Sequence, residues 1–484
     1  MAAIVLVGGA VAIAFGERIG INNGQGWDGI SYTQWAQDFA RTLHEGLTRY
    51  HAQRVLPSGV IALALHGSSH DIPHVLRAFA ISNVILLATA AVAWAHLAAV
   101  MRWSRLATWG GFVALLVTFA NAKHATYYPA LTDPSAFALG MWMVWAYLTD
   151  RPIALWICAF VGSVTWPALP PLAVVMLLLP KRGLDQHVPA SRLESRLAIG
   201  LALVAAATFS IVGFHYLSHP VPGVGDEKFA SWVPRGWLVV TVPMLIAMLA
   251  GGLYLVLVPV RLVEVRSYLR GLARRRLAIA ALAVIVLYAA RGVYLAKVGT
   301  QGEGPTGAQF LCEHTLAALR GPVWGLVHHV VYFGPIIAIA IVAWKRIAVV
   351  ATSWGPAAVI ALAMTVAFAA GSNSRQWSHL LPFVVAATIA ATEASWTRNR
   401  LLGFTALAIV WSKVWFHLGY DTVLDWHAFP NQRYFMNTGP YAATAPYLVH
   451  LAAACATVAI VWWMFSPRAA SSKRPACEPP SDSV

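Results

Sequence analysis

Charged residues are scarce in this chain of 484 residues, at 11% of the total, whereas hydrophobic residues make up 59%. A soluble domain needs many more charged side chains on its surface, so the composition excludes an ordinary soluble fold. The mean hydropathy of +0.64 and the recurring apolar runs indicate a polytopic helical membrane protein. We expect an all-α bundle of about 11–14 transmembrane spans over residues 1–466, followed by a disordered cytoplasmic tail at 467–484.

Acidic residues are fewer still, at 19 against 34 lysines and arginines. Basic pairs fall in short connections, and the positive-inside tendency assigns these connections to the cytoplasm; examples are Arg102 with Arg105, Lys181 with Arg182, and Lys345 with Arg346. Both termini are then cytoplasmic, in what we expect to be a bacterial inner membrane. Basic clusters of this kind suit anionic lipid headgroups, so they do not indicate nucleic-acid binding. The four cysteines form no close pair of the zinc-binding type.

The longer connections fall on the opposite, outer face, and the first of them covers residues 17–74. It contains Trp27-Asp28-Gly29 and, further on, the segment Arg54-Val55-Leu56-Pro57. A lone carboxylate and a lone guanidinium in so apolar a chain suggest a chemical role. Two alternatives remain open: Asp28 forms only a turn with Gly29, or Arg54 only extends to the interface before a helix started by Pro57.

Two further polar segments interrupt the apolar runs. Thr132-Asp133-Pro134 places a carboxylate before a proline, which is also the pattern of a helix N-terminus, so Asp133 is either a site residue or a helix cap. The segment 372–379 carries Arg375 and His379 among several hydroxyl and amide side chains. Arg375 is either a site residue or a lone cation near lipid headgroups.

These features together resemble the GT-C superfamily of integral-membrane glycosyltransferases: a first helix, a long outer loop opening on an aromatic-Asp-Gly segment, and an Arg-Val-Leu-Pro ending. The resemblance implies a GT-C-like fold with long outer-face loops and a polyprenyl-phosphate-linked sugar as donor. It implies that Asp28 acts as, or close to, the catalytic base and that Asp133 is a second catalytic position. Some members use a divalent cation and others do not, which leaves Mg²⁺ or Mn²⁺ open.

The chemistry of sugar transfer accounts for these residue types. A base takes a proton from the acceptor hydroxyl, a role that suits Asp28. Negative charge then builds on the departing phosphate, and Arg54, Arg375 and His379 are candidates to bind it. The acceptor is a lipid, a glycan or a protein. Aromatic and polar residues of the last outer loop, Tyr420, Trp426 and Arg433, are candidates to bind it, although such residues also form interfacial belts.

Other interpretations compete with this one. His66, His70 and His74 have helical spacing that could hold a metal ion, but Pro73 and Gly67 argue against a regular helix there. A glycan polymerase or ligase would also act on polyprenyl-linked glycans, with arginines and histidines dominating. A transporter or lipid flippase would need ionisable groups at mid-membrane, for which the closest cases are His96, Arg291 and Glu393.

Overall fold

The computed structural model describes residues 1–66, 71–182, 192–218, 235–260, 262–300, 302, 315–418 and 444–466. All regular secondary structure in these residues is helical, and they contain no β-strand. The predicted tail at 467–484 lies outside them. The helices of the N-terminal half are α1 (Ala2–Phe15), α2 (Gly29–Gln37), α3 (Phe39–Glu45), α4 (Arg49–Ala52), α5 (Leu56–Ala64), α6 (Ile72–Val100), α7 (Arg105–Leu116), a π-helical turn (Phe119–His124), α8 (Ala125–Tyr127), α9 (Asp133–Leu148), α10 (Pro152–Gly162) and α11 (Leu169–Leu178).

The remaining helices lie between residues 192 and 465. They are α12 (Arg192–Ser218), α13 (Arg235–Leu257), α14 (Leu262–Arg270), α15 (Arg274–Val298), a 3₁₀ turn (Ala318–Arg320), α16 (Trp324–Phe333), α17 (Pro335–Trp354), α18 (Pro356–Ala369), a 3₁₀ turn (Ser374–Trp377), α19 (Leu381–Thr392), a 3₁₀ turn (Glu393–Ser395), α20 (Arg398–Ser412) and α21 (Thr444–Phe465).

Five helices of the described residues are long and apolar enough to cross a membrane. They are Ile72–Val100, Gly236–Leu257, Arg274–Val298, Pro335–Trp354 and Pro446–Phe465. A sixth candidate is the pair Arg105–Leu116 and Phe119–Tyr127, which is bent by 56°. The length and composition of these helices support the predicted membrane class.

The helices pack around one continuous apolar core. Helix α6 lies against α1 and α9, and α17 lies against α19 and α21. Local caps set where helices begin: the Asp71 carboxylate accepts from the backbone N–H of His74 at 3.0 Å, and the Ser104 hydroxyl accepts from that of Ala107 at 3.3 Å.

The short connection predicted at Lys345 and Arg346 is wrong. Helix α17 runs unbroken through Lys345 and Arg346, and the chain instead breaks at Gly334 and Gly355, which adopt φ values of +77° and +113°. Each glycine precedes a proline. Glycine adopts positive φ without strain and proline suits the first turn of a helix, so a Gly-Pro pair ends one helix and starts the next. Hydropathy follows side-chain polarity and therefore misses such breaks.

The segment predicted as the long loop 17–74 contains the four short helices α2 to α5. Apolar side chains of these helices are buried, among them Tyr32, Trp35 and Ile61. The Ser58 hydroxyl donates to the Tyr32 carbonyl at 2.9 Å and ties α5 to α2. The segment is therefore a packed layer that can position polar side chains.

We predict that Gly140→Ala destabilises the protein. Helix α9 crosses the segment before α19 so closely that a Cβ at Gly140 would lie 2.3 Å from the backbone carbonyl oxygen of His379. Relief of such a clash costs on the order of 1–3 kcal/mol. Gly292→Ala is the matched control, because a Cβ there meets nothing within 4 Å. Thermal unfolding in detergent should show a lower midpoint for Gly140→Ala only; equal midpoints would contradict the close approach.

Candidate functional site

Asp28, Asp133 and Arg375 meet in one cluster, although they lie far apart in the sequence. The Arg375 guanidinium donates from Nε to Asp133 Oδ1 at 3.0 Å and from Nη2 to Asp133 Oδ2 at 3.2 Å. Its third nitrogen, Nη1, donates to Asp28 Oδ2 at 3.1 Å. Burial opposes the charge of Arg375, but Asp133 and Asp28 raise its pKa well above its usual value. One guanidinium thus joins two carboxylates.

The two carboxylates have different surroundings. The Asp133 side chain is 6% exposed, whereas that of Asp28 is 56% exposed. Asp133 is the first residue of α9, and no side-chain hydrogen bond caps that helix. Asp133 is therefore not simply a helix cap, because its carboxylate bonds to Arg375 instead. Asp133 holds Arg375, while Asp28 offers its carboxylate to solvent at the start of α2.

The backbone next to Asp28 is fixed by an aromatic residue from a distant segment. The N–H of Gly29 donates to the Tyr128 hydroxyl at 3.1 Å. Gly26, with φ of +65°, packs so closely on the Tyr128 ring that a Cβ there would lie 2.3 Å from it. Asp28 therefore follows a turn that is anchored to the residues after α8.

Two neighbouring histidines of α16 contact the segment that carries Arg375. His328 Nδ1 lies 3.2 Å from the Ser372 carbonyl oxygen, and His329 Nδ1 lies 2.9 Å from Ser374 Oγ. Both histidines are fully buried. The Asn373 side chain also accepts from the N–H of Arg375 at 3.2 Å. These contacts fix the backbone of Arg375, and sequence reasoning did not assign this role to either histidine.

Arg54 lies in a second, aromatic part of the site. Its guanidinium carbon is 4.6 Å from the centre of the Tyr50 ring and 4.5 Å from that of the Trp166 ring. Arg54 is only 3% exposed, so it does not extend to the interface. Its buried Nε has no hydrogen-bond partner, and no carboxylate pairs with Arg54 among the described residues. Buried charges are normally paired, so this cation is suited to an anionic ligand.

His379 contacts the same tryptophan. The Trp166 indole N–H donates to His379 Nδ1 at 3.2 Å, so the ring proton lies on Nε2. Burial lowers the pKa of His379 to about 3, so the ring is neutral at physiological pH. Arg54 and His379 thus both contact Trp166, which is one of 21 tryptophans and therefore did not stand out in the sequence.

The Arg375 cluster and the aromatic part around Arg54 both influence the pKa of Tyr50. Burial raises the pKa of Tyr50, Arg54 and Arg375 act to lower it, and Asp28 and Asp133 act to raise it further. The four charged candidates therefore all lie near the half-buried Tyr50, and Arg54 lies over its ring at 4.6 Å.

The other candidates are less informative. Tyr420, Trp426 and Arg433 lie outside the described residues, as does His70. Asp71 caps α6 and contacts His74, and the described residues contain no group of three metal-ligating side chains. The carboxylates of Asp28 and Asp133 face the Arg375 guanidinium between them, a donor set that does not fit a divalent cation.

We predict that Asp133→Asn destabilises the fold strongly and Asp28→Asn does not. Removal of one partner from a buried ion pair costs about 3–5 kcal/mol, whereas an exposed pair contributes about 0–1 kcal/mol. The unfolding midpoints of both variants in detergent, measured against the native chain, check the difference. Similar losses in the two variants would contradict the assignment of Asp133 as the structural partner of Arg375.

Comparison with protein-family models, with curated proteins and with solved structures finds no match at a significant level. The functional assignment therefore rests on the residues and contacts of this chain.

Proposed function

We propose that this chain is a multi-spanning, GT-C-like glycosyltransferase that transfers a sugar from a polyprenyl-phosphate-linked donor to a lipid, glycan or protein acceptor. The observation that carries the proposal is that an accessible carboxylate, Asp28, and a buried cation, Arg54, which has no carboxylate partner among the described residues, both lie near Tyr50. Such a transfer requires a base, here Asp28, and a cation that binds the departing phosphate, here Arg54.

In this proposal the acceptor hydroxyl attacks the anomeric carbon from the face opposite the phosphate. The bond between that carbon and the phosphate oxygen breaks, its electron pair stays on the phosphate, and the configuration inverts. The hydroxyl proton passes to Asp28, whose exposed carboxylate accepts it. Arg375 orients Asp28, and Asp133 in turn fixes Arg375 by two hydrogen bonds.

The departing phosphate is bound by Arg54 and His379. A guanidinium donates two parallel hydrogen bonds to phosphate oxygens and stays charged when buried. The Nε2 proton of His379 adds a neutral donor with no partner among the described residues. Donors that are already fixed, here on Trp166, stabilise developing charge without reorganisation.

The arrangement of cations along the helices supports an outer-face site. Asp133 begins α9, whereas Lys181 donates to the Leu148 carbonyl at 2.9 Å at the end of that helix. Arg276 pairs with Asp150 at the same end, at 2.6 Å. The predicted cytoplasmic cations and the site thus lie at opposite ends of α9. The five long helices and the bent pair account for five or six of the proposed 11–14 spans; shorter apolar helices such as α10 and α11, of 11 and 10 residues, are too short to cross singly.

A glycan polymerase or ligase is the second candidate, and the buried Arg54 and His379, which both contact Trp166, favour it. In that reaction these two residues carry the activity and Asp28 contributes little. The transporter alternative has less support, because its ionisable candidates serve structural contacts. His96 accepts from the Trp145 indole at 2.6 Å, Glu393 accepts from the N–H of Ser104 at 2.9 Å, and Arg291 donates to Gln53.

We predict that Asp28→Asn lowers sugar transfer by about 10²–10⁴-fold, because the base is lost. The assay uses membranes containing the native chain or the variant at equal expression and a panel of radiolabelled polyprenyl-phosphate sugars. Asp38→Asn is the matched control: Asp38 is an exposed carboxylate of the same segment that caps α3, and asparagine caps equally well. Full activity of Asp28→Asn would favour the polymerase or ligase; no transfer by the native chain with any donor would overturn the proposal.

We predict that Arg54→Met retains the fold but loses the donor. Replacement of a buried, unpaired cation by an apolar side chain is expected to be neutral or stabilising for the free protein. Polyprenyl phosphate should raise the unfolding midpoint of the native protein but not that of Arg54→Met. An equal rise in both proteins would show that Arg54 does not bind the phosphate.

A further inference from the structure

Helix α15 is one of the long apolar helices, yet little of it packs against the rest of the protein. Only 11% of its apolar stretch is buried. Ile279, Leu282 and Ile285 are each at least 60% exposed, as suits side chains that face lipid. Near the middle of the helix, the Trp156 indole N–H donates to the Ala283 carbonyl at 3.4 Å. The dense contacts at the C-terminal end of α15 are therefore an exception along this helix.

Two side chains near that end bond to the residues that lead into the site. The Tyr294 hydroxyl donates to the Ala52 carbonyl oxygen at 2.9 Å, and the Arg291 guanidinium donates to the side-chain oxygen of Gln53. Ala52 and Gln53 are the two residues immediately before Arg54. The backbone on one side of Arg54 is thus attached to α15.

The attachment extends to the start of the same segment. The N–H of Leu47 donates to the Val298 carbonyl oxygen, the last residue of α15, at 2.7 Å. Gly46, with φ of +82°, lies so close to Thr300 that a Cβ there would be 1.9 Å from the threonine hydroxyl oxygen. The segment 46–53 therefore follows the end of α15 from its first residue to its last.

A different contact holds the backbone on the other side of Arg54. The N–H of Leu56 donates to the Val164 carbonyl oxygen at 3.0 Å, two residues before Trp166. The Trp166 ring in turn lies 4.5 Å from the Arg54 guanidinium carbon. Arg54 is thus held between α15 and the segment that carries Trp166. Because its buried Nε has no hydrogen-bond partner, its placement depends on these backbone attachments and on the neighbouring rings.

We propose that α15 positions Arg54 for the donor phosphate, with Tyr294 and Arg291 as positioning residues. This inference rests on the proposed function, in which Arg54 binds that phosphate. A cation already held in its bound geometry binds without the cost of being ordered. A group misplaced by about 1 Å can lose up to about 10²-fold of its effect. Loss of one attachment therefore weakens donor binding and leaves the chemistry at Asp28 unchanged.

The test removes one hydroxyl from the full chain. Tyr294→Phe deletes the donor to Ala52 and keeps the ring; Tyr288→Phe is the matched control, because Tyr288 lies on the same helix with its side chain 43% exposed. We expect Tyr294→Phe to raise the KM for a radiolabelled polyprenyl-phosphate sugar, and the Kd for polyprenyl phosphate, by about tenfold, or about 1.4 kcal/mol.

The value of kcat separates positioning from folding. It should stay within about twofold of the native value in Tyr294→Phe, whereas a variant that is only less well folded loses kcat and keeps its KM. Arg291→Met should also raise KM, and Arg291→Lys should restore part of the loss, since an ammonium group can still donate to Gln53.

Hydrogen–deuterium exchange of residues 46–56 in the ligand-free protein separates this inference from the proposed function. The segment should exchange faster in Tyr294→Phe than in the native chain or in Tyr288→Phe. Equal exchange and equal KM in the two variants would overturn the inference and leave the proposed function in place. A native chain that neither transfers a sugar nor binds polyprenyl phosphate would instead overturn the proposed function.

Discussion

The buried ion pair between Arg375 and Asp133 is the contact on which the site depends. Two charges removed from water are costly unless their geometry is good and their remaining polar atoms are bonded. Asp133 meets this condition with both oxygens, and Arg375 has one further nitrogen for Asp28. Because Asp133 starts α9 and Arg375 precedes α19, the pair fixes where two apolar helices begin relative to each other. The position of Asp28 follows from that register.

The sequence predicted the class of fold and several residues of the site, for a physical reason. Charges are so rare in this chain that each one away from a basic cluster is conspicuous, which made Asp28 and Arg375 candidates, whereas the catalytic role of Asp133 came from the resemblance to a known family. Their supports could not be found, because aromatic and histidine side chains are common here and their partners are distant. Trp166 acts on His379 across 213 residues, and His329 acts on Ser374 across 45. The helix breaks at Gly334 and Gly355 could have been predicted from the Gly-Pro pairs, because glycine adopts positive φ and proline starts a helix; hydropathy alone does not show them.

The site has an electrostatic asymmetry that suits a group transfer. On one side, Asp28 is open to water, where an acceptor can arrive and a proton can leave. On the other side, Arg54 lies between two aromatic rings with little water around it. Low polarity strengthens the attraction between a guanidinium and a phosphate, and it strengthens it most when the phosphate gains charge. The same aromatic setting that makes Arg54 costly to bury therefore makes it effective in the proposed reaction.

The π-helical turn Phe119–His124 has two faces with different tasks. Lys123 lies 2.9 Å from Glu17 on one side, whereas His124 Nδ1 lies 3.2 Å from the Tyr332 hydroxyl, on the side of Arg375. A few residues further on, Tyr128 holds the backbone of Gly29, next to Asp28. Irregular turns of this kind occur often at functional sites, because they turn neighbouring side chains in directions that a regular helix does not allow. The ion pair between Lys123 and Glu17 therefore restrains the same short segment whose continuation, at Tyr128, positions the backbone next to Asp28.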